Sequence, residues 1–260
     1  MEDKLVLAGQ SFDSRLIIGT GKFASERDLE EVVKSTGAQI ATMAIKRVDV
    51  KGHTDGIVPP LRKLGVTLMP NTSGARNAKE AVYAAQLSRE ALGTDWVKVE
   101  VHPDQKYLLP DPVETYNASA QLVKEGFKVF AYCSPDPVLC KSLEDAGVSA
   151  VMPLGAPIGS ARGLESLPFL EIIIREASVP VIIDAGIGTP SDAARSFEIG
   201  AAAVMVNTAI AAARNPIEMG AAFKLACQAG RQGYLSGLAG NVQTARATSP
   251  MEQFLEEAMK

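Results

Sequence analysis

The stretch Val97-Lys98-Val99-Glu100-Val101 sets an amine and a carboxylate two residues apart between valines. On a β-strand, where successive side chains alternate between faces, the valines share one face and Lys98 and Glu100 share the other. Lysine and glutamate are almost never fully buried without a partner or a function. In a closed parallel barrel the valines would face the surrounding helices and the Lys/Glu pair would face the axis. Burial there would weaken the preference of the lysine for its charged form, and a neutral amine attacks carbonyls to form a Schiff base. Glu100, about 6–7 Å further along the same face, would move protons for that imine. An isolated K-x-E on a solvated strand is otherwise an ordinary ion pair, so the chemistry depends on what surrounds it.

Other residues of suitable type stand at the ends of apolar runs. Asp184 closes the run Val179 to Ile183, where a barrel enzyme places a catalytic group; locally it serves equally well as a cap for the loop that follows. The glycines of Asp184-Ala185-Gly186-Ile187-Gly188 allow backbone N–H groups to approach an anion. Val206-Asn207-Thr208-Ala209 offers small polar residues at a helix start, where amides and the helix dipole favour negative charge. Gly155 and Gly159 add a third permissive loop; each glycine taken singly is more simply a turn that needs positive φ, and it is three such loops ending adjacent strands that point to an anion. His102 precedes Pro103, which ends the strand, so it reads as a supporting or structural residue. His53 reads as a loop residue, and Arg162 either neutralises phosphate or is solvated.

The elements needed to bring these residues together are written as an alternation. Eight short runs rich in β-branched residues read as strands: Arg15–Gly19, Ile40–Ile45, Val66–Met69, the Lys98 strand, Phe127–Tyr132, Ala150–Met152, Val179–Ile183 and Ala203–Val206. Between them lie helices with start signals at Ser25, Asn77, Pro112, Asp136-Pro137, Thr189-Pro190 and Asn215-Pro216, and with Gly37, Gly126, Gly147 and Gly200 as stops. The segment Ile57 to Leu64 reads as a short helix broken by Pro59-Pro60, and the polar segment Lys46 to Gly56 as a loop. Such alternation requires parallel strands with right-handed crossovers, and eight units predict an α/β fold, the (β/α)₈ TIM barrel. Leu5 to Ala8, ahead of a polar turn at Gln10 to Ser14, predicts a short N-terminal hairpin that plugs one barrel end. In such a barrel the active site lies at the C-terminal ends of the strands, with phosphate held after the seventh and eighth.

Composition narrows the class. The 260 residues are 47% hydrophobic and 22% charged, ordinary globular usage for one barrel-sized domain spanning 1–260 with a less regular tail from about 235. A formal charge of −4 argues against a general nucleic-acid binder, so a phosphorylated ligand must be held by local features. Cys133, Cys140 and Cys227 lack C-x-x-C spacing, which argues against a disulfide scaffold or a structural zinc site. With no long apolar run, the chain is expected to be soluble and cytoplasmic, with no membrane contact.

Seven pieces in order closely resemble the bacterial thiazole synthase (ThiG) family of thiamine biosynthesis. They are Met69 to Gly74, Val97 to Val101, Leu108 to Asp111, Leu143 to Gly147, Val151 to Ser160, Asp184 to Gly188 and Val206 to Ile210. The resemblance runs from about Leu16 to Tyr234. It implies a barrel that condenses 1-deoxy-D-xylulose 5-phosphate, dehydroglycine and a sulfur atom into the thiazole phosphate moiety, without metal or organic cofactor. It implies Lys98 as the Schiff-base lysine, Glu100 and Asp184 as acid/base carboxylates, and Gly159, Ala185, Gly186, Asn207 and Thr208 as sugar-phosphate contacts. The implied partners are a ubiquitin-like sulfur carrier protein bearing a thiocarboxylate and a dehydroglycine-supplying enzyme, a glycine oxidase or a tyrosine lyase. A homo-oligomer, dimer or tetramer, is implied as well. The carrier tail is expected to enter past Lys46 to Gly56. Rival readings are another lysine-imine barrel enzyme, aldolase-like or pyridoxal-phosphate synthase-like, and a non-catalytic sugar-phosphate binder.

Overall fold

The computed structural model describes residues 3–23, 25–44, 56–104, 106–240 and 244. The chain opens with an antiparallel hairpin, β1 (Leu5–Leu7) and β2 (Gln10–Phe12). Eight parallel strands follow: β3 (Leu16–Gly19), β4 (Ile40–Ala44), β5 (Thr67–Asn71), β6 (Trp96–Val99), β7 (Lys128–Cys133), β8 (Ala150–Pro153), β9 (Ile182–Asp184) and β10 (Ala203–Val206). From β3 to β8 each pairs with the next in the chain, and β10 lies between β9 and β3. Bridges at Val151↔Val181 and Leu154↔Asp184 join β8 to β9 and bring the ring together. The fold is a (β/α)₈ TIM barrel.

The helices that connect the strands are α1 (Glu26–Thr36), α2 (Val58–Lys63), α3 (Ala78–Leu92), α4 (Pro112–Lys124), α5 (Pro137–Asp145), α6 (Leu167–Glu176), α7 (Pro190–Glu198), α8 (Thr208–Ala211) and α9 (Pro216–Ser236). Six of them start on a side-chain oxygen that accepts backbone N–H bonds: Ser25, Asn77, Asp111, Asp136, Thr189 and Asn215. Each such cap is worth about 1 kcal/mol. At α7 the cap is reciprocal, with the Asp192 carboxylate accepting from the backbone N–H of Thr189.

The alternation along β6 sorts its side chains as the sequence predicts. Val97, Val99 and Val101 pack outward against Ala81 of α3 and Ala118 and Leu122 of α4. Trp96 faces inward, into a layer with Ile17, Ile40, Met69, Phe130 and Ile182 that fills the lower barrel. Leu5, Leu7 and Phe12 of the hairpin enter the same layer, so the hairpin does plug this end.

Several local expectations change. Gln10 to Phe12 is the second hairpin strand, not part of a turn; the reversal falls at Ala8-Gly9, both with positive φ (47° and 80°), which suits a two-residue hairpin loop. Pro59 and Pro60 do not break α2. They lie in its first turn, where backbone N–H groups have no intrahelical partner to lose. Strand β5 extends through Pro70 and Asn71, read from sequence as loop, while β6 ends at Val99. The helix start expected at Asn207-Thr208 opens the short helix α8, and Leu235 and Ser236 belong to α9 rather than to the tail. Lys46, Arg47 and His53, with most of the segment they occupy, lie outside the described residues, as does nearly all of the chain after Gly240. Among the described residues no helix is long and apolar enough to cross a membrane.

Candidate active site

The C-terminal ends of the strands surround a cavity of about 290 Å³. Lys98 rises from β6 into its floor and is only 2% exposed. Its Nζ lies 2.9 Å from Glu100 Oε1 and forms a second ion pair with Asp184 Oδ2. The three side chains therefore meet although Asp184 comes from the end of β9, far along the chain from β6.

The backbone beyond β6 explains how Glu100 is held. Where the ladder between β5 and β6 ends, Thr72 takes over: its hydroxyl accepts from Glu100 N and donates to Glu100 O, both at 2.8 Å, and Thr72 N donates to Lys98 O at 3.1 Å. One residue on, Val101 bridges Ala75, and His102 N donates to Ala75 O at 2.9 Å. The extended chain thus carries His102 inward, where its Nε2 sits 3.2 Å from the second Glu100 oxygen. Tyr132, on β7, lies under this group with its ring 5.2 Å from Lys98 Nζ and edge-on to His102.

Electrostatics separates the two carboxylates. For Lys98, burial works to lower the pKa, but the charges of Asp184 and then Glu100, together with their hydrogen bonds, outweigh it, and the pKa is raised. The amine in the resting site is an ammonium ion, since the two carboxylates reverse the weakened preference for charge expected from burial. For Glu100, burial favours the neutral form, yet Lys98 and His102 prevail and pull the pKa down to about 2. For Asp184, burial combined with the nearby Glu100 charge outweighs Lys98, and the pKa is raised. The same ammonium thus sits between one carboxylate held at the acid end of its range and one made less acidic than usual, and such a split is how two carboxylates come to differ in role.

All of the residues predicted from sequence to contact a sugar phosphate line this cavity: Gly159, Ala185, Gly186, Asn207 and Thr208. Ala185 and Gly186 both hold positive φ (60° and 78°). A Cβ at Gly186 would stand 2.4 Å from Ala156 N, so only glycine lets the loops after β8 and β9 interlock. Those loops are tied by Gly155 N to Asp184 O (3.0 Å) and by Gly163 N to Gly186 O (2.8 Å). Helix α8 begins at the cavity without a side-chain cap, the short extra helix after the eighth strand that commonly holds phosphate in barrels. The Asn207 side chain acts on the backbone instead. With its amide oriented as its neighbours require, nitrogen towards the two carbonyls, it donates to Gly21 O (2.8 Å) and Gly19 O (3.2 Å), fastening the loop after β3 to the end of β10.

Arg162 does not line the cavity; it is exposed and paired with Glu165 at 2.7 Å. His102 supports Glu100, in keeping with the supporting place that the sequence reading gave it, whereas Thr72 and Tyr132 were missed. Tyr132 had a signal, since it alternates inward with Phe130 on a strand beside Lys98. Thr72 had none beyond its place in a polar loop.

Residues 6–250 match the family described as thiazole biosynthesis protein ThiG. Proteins named thiazole synthase from Vibrio atlanticus (strain LGP32) and Vibrio vulnificus (strain YJ016) are each 60% identical, covering 97% and 98% of this chain and 100% and 99% of their own. A chain in the crystal structure of the Amycolatopsis orientalis BexX/CysO complex superimposes with a TM-score of 0.82 at 28% identity, covering 92% of this chain and 98% of that one. With the family matched over nearly its whole length, the chain is an enzyme of thiazole formation in thiamine biosynthesis and belongs to the thiazole biosynthesis protein ThiG family.

Proposed function

We propose that the chain joins 1-deoxy-D-xylulose 5-phosphate, dehydroglycine and sulfur into the thiazole phosphate moiety through a Schiff base on Lys98. The observation that carries this reading is a fully buried lysine in contact with two carboxylates of divergent pKa on the floor of a sugar-sized cavity. A pure binding protein has no need of a buried amine with a proton carrier beside it.

Because Lys98 rests as an ammonium ion, imine formation must begin by moving its proton. Asp184, raised in pKa and in direct contact, is the acceptor. The freed amine adds to the sugar ketone, and Asp184 returns the proton to the hydroxyl that leaves as water. The resulting iminium keeps a positive charge beside Glu100, which stays ionised and offsets it. The iminium draws electrons from the adjacent carbon, whose proton Asp184 then removes, and the carbonyl can move one carbon along to receive sulfur. The phosphate lies against Gly186 and Thr208, at the uncapped start of α8. Sulfur arrives as the thiocarboxylate of a small carrier protein in the cytoplasm; that the Amycolatopsis neighbour comes from a BexX/CysO complex supports a protein partner for this barrel.

The test is intact mass after incubation with 1-deoxy-D-xylulose 5-phosphate and borohydride. The wild type gains a reduced-imine adduct and Lys98→Ala gains none. A wild type that binds the sugar phosphate yet takes no adduct removes the imine mechanism.

A further inference from the structure

Among the described residues lining the cavity, the lysines and carboxylates are Lys98, Glu100, Asp184 and Lys22, and His102 stands against Glu100. The first three form one cluster in which a single ammonium faces two carboxylates. A phosphate brought to this cavity therefore meets a floor whose one ammonium is already paired with carboxylates. Its counter-charge has to come from elsewhere on the wall, and the whole chain, at −4, does not supply it.

Lys22 lies in the loop between β3 and α1, on the same side as α8. Its ammonium reaches Thr208 Oγ1 at 3.5 Å, at the start of that helix. The side chain is otherwise exposed, and no carboxylate pairs with it among the described residues. Its backbone is strained as well, with φ at 70°, a left-handed region that a residue with a Cβ rarely enters. Strain of this kind persists where the surroundings over-determine it, and it concentrates at functional sites.

The surroundings here do over-determine it. Thr20 N and Thr20 Oγ1 both donate to Thr42 O at 3.0 Å, fixing the loop to β4. On the other side, the Asn207 amide grips Gly19 O and Gly21 O, and a Cβ at Gly19 would stand 2.6 Å from Asn207 Cβ. The loop is pinned between β4 and β10 just before Lys22, which turns the lysine back over Thr208. A turn needing only positive φ is filled at least cost by glycine; a lysine here presents a cation at the cavity mouth.

We infer that Lys22 is the cation of the phosphate subsite, closing over a phosphate seated on Gly186 and Thr208, and that it selects phosphorylated over unphosphorylated sugar. The inference rests on the phosphate placement proposed above. As a compact ammonium on a flexible stem, Lys22 suits a phosphate that must enter and leave.

The test uses the full chain with Lys22→Gly and Lys22→Arg. Glycine removes the charge and accepts the backbone angle, so folding is preserved; arginine keeps the charge. Equilibrium dialysis against inorganic phosphate reads the subsite without any imine. Half-saturating concentrations in borohydride trapping are compared for 1-deoxy-D-xylulose 5-phosphate and for unphosphorylated 1-deoxy-D-xylulose. Loss of one charge-assisted contact weakens phosphate and sugar-phosphate binding by about 10–100-fold in Lys22→Gly. The unphosphorylated sugar is unaffected, and Lys22→Arg restores most of the loss. Wild-type protein that does not bind phosphate, a Lys22→Gly affinity equal to wild type, or equal losses for both sugars overturns the inference. Absence of adduct in every protein, with phosphate binding still dependent on Lys22, sinks the imine reading and leaves this one standing.

Discussion

Glu100 and Asp184 share one buried ammonium ion, yet the site drives their acidities in opposite directions. The consequence can be read in stability as well as in rate. Asp184 has a folded pKa above its unfolded value, so the folded state binds that proton more tightly. Its contribution to stability is full below the unfolded pKa and is lost as pH rises through the folded one. Above its folded pKa the ionised Asp184 is therefore a cost the fold carries for function. Asp184→Asn should melt about 2–4 °C above wild type at pH 7, the shift produced by a change on the order of 1 kcal/mol in a chain of this size. The gap should narrow as pH falls, because only the wild type gains from protonation. Turnover should drop by about 10²–10⁴-fold for loss of the proton carrier. Calorimetry across pH checks this; a variant less stable than wild type at pH 7, or a gap that widens on acidification, refutes it. At this scale the sequence showed which residues meet but not their charge states. The K-x-E spacing placed Lys98 and Glu100 on one face, whereas the opposing effect of Asp184 depends on the seam between β8 and β9, which no local pattern encodes.

Elements were legible where their ends are written in side chains. Ser25, Asn77, Asp111, Asp136, Thr189 and Asn215 each start a helix in the structure because a short polar side chain satisfies amides that the helix cannot. Legibility failed where one residue type serves two ends. Pro59-Pro60 starts a helix as readily as it stops one, and Gln10-Ser11 looks like a turn until Phe12 is seen to be buried in the plug. The glycine loops divide in the same way. Gly65 and Gly186 both hold positive φ, but a Cβ at Gly65 meets nothing within 4 Å whereas one at Gly186 meets the backbone of Ala156. Gly65→Ala should cost about 1–2 kcal/mol for the backbone angle alone. Gly186→Ala adds overpacking and should cost about 2–5 kcal/mol, since backbone atoms cannot swing aside. It should also weaken sugar-phosphate binding, because the loops after β8 and β9 must part. Urea melts of the two variants decide the point: equal losses would show that the loops do not interlock as described.

For the whole molecule, the count of eight strand-and-helix units predicted the barrel, and the barrel assigns its two ends to different work. The lower end is packed apolar material: Phe12 stands edge-on to Trp96 at 5.8 Å, and Trp96 stacks on Phe130 at 4.8 Å. The upper end holds the charged cluster and the cavity. Lys98 and Trp96 are neighbours on the inner face of β6, so one strand joins the two ends. In barrels of this kind the lower end carries stability and the upper end chemistry. Truncating Phe12→Ala should remove about 3–5 kcal/mol and lower Tm by about 6–20 °C. The chain contains one tryptophan, so its fluorescence reports the plug directly. Unfolding followed at Trp96 should coincide with unfolding followed by far-UV circular dichroism if plug and barrel are one cooperative unit. At 25 °C, where the variant remains folded, adduct formation on Lys98 should match wild type, because no atom of Phe12 borders the cavity. Adduct formation that falls in step with the lost stability would mean that the lower layer positions Lys98 through β6, and the division of labour between the two ends would have to be abandoned.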